Sequence, residues 1–212
     1  LLEQLYRNYL VDQDSASFVR SVAARYTIGT LQRVALCGGR EARRAAVLAL
    51  GFLGGYESNS VLGRALHDED RGVRIAAENG IRSLWCRDGT DSQRQLLGIV
   101  IRLIAAQRFS DAVARATELI GAAPTFAEAW NQRAIALYSL GRYDDSIRDC
   151  RQTLELNPYH YGAAAGLGQC YLQLGDMAAA LEAFRHALRL NPNLEGVRAN
   201  VAHLERIVHD DG

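Results

Sequence analysis

Four cysteines, five histidines and one acidic run are the residues of this 212-residue chain that could do nucleophilic, acid–base or metal-binding chemistry. Their spacing assembles none of those sites. Cys37, Cys86, Cys150 and Cys170 make no CxxC pair and no metal-ligand spacing. His186 and His203 fall on different helices, and His67 and His160 have no cysteine or histidine partner, so each is expected at the surface or half-buried. His67-Asp68-Glu69-Asp70 contains a carboxylate pair, but acids just ahead of a helix are expected to cap it. No GxSxG, HExxH, GxxxxGK[ST] or GxGxxG occurs. All 24 basic residues are arginine, which removes Schiff-base and phosphate-loop lysines from consideration. No catalytic residue, cofactor or metal is therefore expected, and the chain reads as a non-enzyme.

Composition narrows the remaining classes. The length allows one or two domains, and 49% apolar residues are enough for a real core. A formal net charge of zero lacks the basic footprint of a nucleic-acid binder. No apolar run approaches the roughly 18 residues of a membrane span. Cys150 falls in an apolar helical slot, so a reduced, buried thiol and a cytoplasmic location are expected. The chain begins at Leu1, and a preceding segment is expected.

The elements that would position a site are written in a period. Pro124, Pro158 and Pro192 stand 34 residues apart, and the residues before them align. With units counted from Gln93, position 8 is Val100, Ala134 and Gly168, and position 20 is Ala112, Ser146 and Ala180. Small residues there let two helices cross. Gly141 and Gly175 supply a turn with positive φ between those helices, and proline at position 32 ends the second one. Gln107 takes the glycine position of the first unit, and Ala164 replaces a large residue in the third, where Phe184 is expected to fill the gap.

This period, with Trp130 at position 4 and "LGRYDDS" or "LGDMAAA" at the turn, resembles the tetratricopeptide repeat (TPR). Three units are expected, at about 93–126, 127–160 and 161–194, followed by a capping helix over 194–208 that carries Leu194, Val197, Val201, Leu204 and Val208. Asp210-Asp211-Gly212 is expected to fray.

A second period lies upstream. "ARRAAVLALGFL" at 42–53 overlays "VRIAAENGIRSL" at 73–84 with an offset of 31. It resembles the short HEAT repeat, and a HEAT segment followed by TPRs is similar to bacterial repeat proteins that imply no activity. Helices over 1–12, from Asp14 or Ser15 to about Tyr26, and over Thr30–Leu36 are expected to cap it. Asp88-Gly89, with Thr90 or Asp91 as a helix cap, marks a junction between 1–88 and 89–212. The expected fold is an all-α, right-handed solenoid.

The TPR resemblance implies a concave protein-binding face on the first helices. It carries over to Arg94, Leu97, Ile101 and Ile104 in the first unit, and to Glu128, Asn131, Gln132, Ile135 and Tyr138 in the second. Gln169, Leu172 and Gln173 follow in the third. The charged clamp of chaperone-binding TPRs is missing, because Leu97, Ile101, Gln132, Gly162 and Gly166 stand at its positions. The expected function is a protein scaffold or adaptor that holds a peptide or helical segment of another protein. A homodimer through the apolar groove and a HEAT-type lyase or isomerase are the rival readings. One ion pair is also expected, between Arg133 at position 7 and Asp149 at position 23 of the partner helix.

Overall fold

The computed structural model describes the backbone of residues 1–210 and the side chains through residue 207. The described residues form α-helices and one short 3₁₀ turn, with no strand. The chain divides into two compact units, Leu1–Asp88 and Gly89–Gly212.

The N-terminal unit contains α1 (Leu2–Asp12), α2 (Ser15–Ala23), α3 (Ile28–Cys37), α4 (Arg40–Leu53), α5 (Asn59–Ala65) and α6 (Arg71–Arg87). Helix α4 is its centre and packs against the other five. That placement follows from a sequence apolar nearly all round: Ala45, Ala46, Val47, Ala49 and Leu50 are completely buried. Helices α4 and α6 cross at two glycines, where a Cβ on Gly51 would lie 2.8 Å from the Cα of Gly80. Helix α2 stops earlier than expected and α3 starts earlier, at Ile28. The reason is Thr27, whose hydroxyl accepts the Thr30 N–H at 3.2 Å and caps α3.

The acidic run is structural. Asp70 accepts the Val73 N–H at 3.0 Å, capping α6, and takes two 2.6 Å bonds from Arg44. The Arg44 guanidinium, with the backbone amides, holds the Asp70 carboxyl far below the usual carboxylate range. Asp68 is gripped by Arg43 at 2.8 and 2.9 Å. Both carboxylates are committed to arginines of α4.

The C-terminal unit contains α7 (Asp91–Ala105), α8 (Phe109–Ala122), α9 (Ala127–Ser139), α10 (Tyr143–Leu156), α11 (Tyr161–Gln173), α12 (Met177–Leu190) and α13 (Glu195–Asp210). The first six pack as consecutive pairs, each pair's second helix lying on the next helix in the chain. Thr90 and Gln93 open α7 with a reciprocal capping box. The small crossing residues Val100, Ala112, Ala134, Ser146 and Ala180 are all buried. Gly168 admits the ring of Phe184: a Cβ there would stand 2.8 Å from Phe184 Cγ and closer still to the ring edge. The turn glycines have φ of 74° at Gly141 and 78° at Gly175, and Gln107 adopts 57° in their place. Each second helix ends one residue ahead of the residue preceding its proline. Helix α13 buries Leu204 against Phe184 and Leu181, with Val197 and Val201 beside it. It runs through Asp210; the rest of the expected frayed end and the side chain of Val208 lie outside the described residues.

Candidate protein-interaction site

Helices α7, α9 and α11 carry the residues expected to face a partner, and they divide into three groups. The first is accessible and apolar: Ile101 is 37% exposed and Ile135 40%. Ile104, Tyr138 and Leu172 are half-buried, each packed against a buried cluster of the unit. The Tyr138 ring leans on that of Tyr143 with centroids 5.5 Å apart. The second group supplies amides. Gln169 is half-buried, Gln173 is exposed, and the Tyr143 hydroxyl donates to Gln173 Oε1 at 3.4 Å.

The third group is corrected by the structure. Leu97 is 1% exposed; it lies three residues before the crossing residue Val100, shares its side of α7, and turns into the interior. Glu128 and Asn131 are 5% and 8% exposed, so neither can meet a partner directly. Arg94 is engaged at the start of its own helix, by Asp91 and the Gly89 carbonyl.

What closes over Glu128 is His160, expected at the surface or half-buried and in fact 2% exposed. His160 is the N-cap of α11: its Nδ1 accepts the Ala163 N–H at 3.0 Å. With Nδ1 used as an acceptor, the proton sits on Nε2, which donates to Glu128 Oε2 at 2.9 Å. The other oxygen of Glu128 accepts from Asn131 at 3.0 Å and Gln132 at 2.6 Å. Burial pushes the Glu128 carboxyl up, but these donors outweigh it and hold the group below its ordinary value. The cluster ties the start of α9 to the start of α11 and fixes Gln132 on the face. The sequence signal was available: the cap position of one first helix, 32 residues after an acid in the first turn of the preceding one.

The expected ion pair forms. Arg133 donates to both oxygens of Asp149 at 2.7 and 2.8 Å, with the two side chains 18% and 5% exposed. Its guanidinium carbon also lies 4.9 Å from the Trp130 ring centre, while Trp130 Nε1 holds the Pro124 carbonyl at 2.9 Å. Cys150 and Cys170 are buried around Ser146, and burial drives the Cys150 thiol up to about 12, far from a reactive thiolate.

A tetratricopeptide repeat profile matches two overlapping segments, 97–160 and 131–195. Together they place the likeness to tetratricopeptide repeats over residues 97–195, a little under half of the chain. The chain is 34% identical over 102 residues to a Hsp70-Hsp90 organizing protein of Triticum aestivum, covering 48% of this chain and 18% of that protein. A TPR repeat-containing protein of Rhizobium etli is 30% identical over 125 residues, 59% of this chain and 60% of that one. The chain thus spans less than two thirds of either relative. Among solved structures, the first TPR of Spaghetti (RPAP3), bound to an HSP90 peptide, superposes with a TM-score of 0.55 at 17% identity, covering 57% of this chain and 96% of that one. The Sgt2 TPR domain of Aspergillus fumigatus matches with a TM-score of 0.55 at 18% identity, over 57% and 82%. At these identities the likeness is one of fold. Among the described residues no helix is long and apolar enough to cross a membrane.

Proposed function

We propose that this chain is a non-catalytic adaptor whose TPR unit holds an apolar segment of another protein against α7, α9 and α11. The observation that supports this reading is the accessibility of Ile101, Ile135 and Tyr138 on the first helices, together with the amides of Gln132, Gln169 and Gln173. Apolar area combined with amide donors suits a peptide backbone and apolar side chains. The neighbour named above binds an HSP90 peptide, which supports a peptide as the class of ligand. The partner differs in chemistry, because uncharged residues occupy the clamp positions and a charged terminus would find no countercharge there. The N-terminal unit is read as HEAT-like, supported by the pairing of α3 with α4 and of α5 with α6. The cytoplasmic location remains part of the proposal.

The test is capture from a native lysate with the full chain and with an Ile135→Ser, Tyr138→Ala variant. Loss of one captured protein, with the circular dichroism spectrum unchanged, is the expected result. Full capture by the folded variant would move the recognition surface elsewhere. Light scattering on the same samples tests the rival reading, which requires a stable dimer of the unmodified chain.

A further inference from the structure

A cleft of about 240 Å³ opens among α8, α9 and α10, several times the roughly 30 Å³ share of one water. Three arginines line it, Arg133, Arg142 and Arg148, with Asp145, Asp149 and Thr117. None of the residues assigned to the recognition face contributes. The carboxylates are already taken. Asp149 is held by both arms of Arg133, and Asp145 accepts from Arg142 at 2.8 Å through one oxygen and from Arg148 through the other. The Thr117 hydroxyl is likewise occupied, accepting from Arg133 at 3.1 Å and donating to the Val113 carbonyl at 2.8 Å.

Each guanidinium has five N–H groups. The bonds formed among the described residues leave donors over on all three arginines, while each oxygen of the two carboxylates already accepts from an arginine. The lining carries one more positive than negative side chain. A ligand entering this cleft meets spare guanidinium donors and a net positive charge, which favour an acceptor that is also an anion. Arg133 is fixed in advance by Asp149 and by Trp130, whereas Arg142 and Arg148 are 55% and 69% exposed and free to adjust. Forked guanidiniums match the oxygen spacing of carboxylate and phosphate. We propose that this cleft is a binding site for an oxyanion, the group shared by carboxylates and phosphates.

The proposal is tested on the full chain labelled with ¹⁵N, following the arginine Nε–H signals by NMR during separate titrations with sodium acetate and inorganic phosphate. Sodium chloride at matched ionic strength sets the baseline for screening. Saturable shifts of Arg133, Arg142 and Arg148 beyond that baseline are expected, and the anion that produces them identifies the source as carboxylate or phosphate. The Arg142→Gln, Arg148→Gln variant should weaken binding by about tenfold or more. Should that variant not fold, Arg148→Gln alone, at the most exposed of the three, reads the same loss. Shifts no larger than chloride produces, or unchanged affinity in a folded variant, would overturn the site.

Discussion

His160 donates to Glu128 across 2.9 Å, and both side chains are sealed from solvent at 2% and 5% exposure. A carboxylate buried this deeply is tolerable because both of its oxygens are hydrogen-bonded, by His160 on one side and by Asn131 and Gln132 on the other. The same imidazole caps α11 through Nδ1. One residue therefore orders two first helices, and the line of apolar residues proposed to meet a partner runs along them.

Acid should loosen this arrangement. The Glu128 carboxyl is held below its ordinary value of 4.5, so its stabilising contribution is fully present above that pH. It is lost as pH falls through the lower value of the folded state. A Glu128→Gln variant is expected to melt below the parent at neutral pH, with the gap narrowing as pH falls below 4.5. Asp70, Asp145 and Glu41 are also held low and titrate in both proteins, so the difference between the two melting curves isolates Glu128. A gap that stays constant with pH would mean that the fold does not lower the Glu128 carboxyl.

Arg133 and Asp149 form the second buried pair, and removing one partner should cost far more than replacing both. Asp149→Asn leaves a largely buried guanidinium without its countercharge and is expected to destabilise by about 2–4 kcal/mol in urea unfolding. Arg133→Met combined with Asp149→Leu should recover most of that loss, since apolar pairs of similar volume often match a buried ion pair. If the double variant is at least as unstable as Asp149→Asn alone, the ion pair contributes net stability over an apolar replacement.

Legibility in the sequence followed the range of the interaction. Pro158, Gly141 and Ser146 act within a turn or between two helices joined by a short loop, so a 34-residue register was enough to place them. Arg133 and Asp149 were legible for the same reason: they sit on the two helices of one unit, sixteen residues apart. His160 was missed although its spacing of 32 from Glu128 carried a signal, because its partner lies on a helix that only stacking brings near. Leu97, Glu128 and Asn131 show the complementary failure. Repeat positions identify a helix side, but whether a side chain there meets solvent depends on what the adjoining unit places over it. The internal overlay of 42–53 on 73–84 fell on α4 and α6, yet Gly51 and Gly80 meet across an offset of 29 rather than 31, a contact set by the crossing of the helices.

The crossing of α11 and α12 sets a sharper limit. Gly168→Ala puts a methyl group into the Phe184 ring, which is itself completely buried, and is expected to destabilise by about 1–3 kcal/mol. Adding Phe184→Leu, which removes the ring, should make the pair of changes cost less than their sum. Strict additivity in urea unfolding would show that the helices separate freely and that the ring does not dictate the glycine.

The last prediction concerns backbone rather than packing. Gln107 holds φ at 57°, in the position where the other two turns place Gly141 at 74° and Gly175 at 78°. A Cβ at either glycine would meet nothing within 4 Å, so space does not explain the residue choice; the left-handed conformation does. For a non-glycine residue that conformation costs on the order of 1 kcal/mol. The Gln107 side chain is exposed, and the turn bond from its N–H to the Ile104 carbonyl at 2.9 Å belongs to the backbone. Gln107→Gly therefore removes strain without removing a packed side chain. The greater freedom of glycine in the unfolded chain opposes the gain by a comparable but smaller amount, roughly half a kcal/mol. The variant is expected to melt a degree or more above the parent, on the order of what a few tenths of a kcal/mol produce in a chain of this size. Gly141→Ala, the reverse change, should lower the melting temperature. A Gln107→Gly protein that melts below the parent would show that the first turn is not strained.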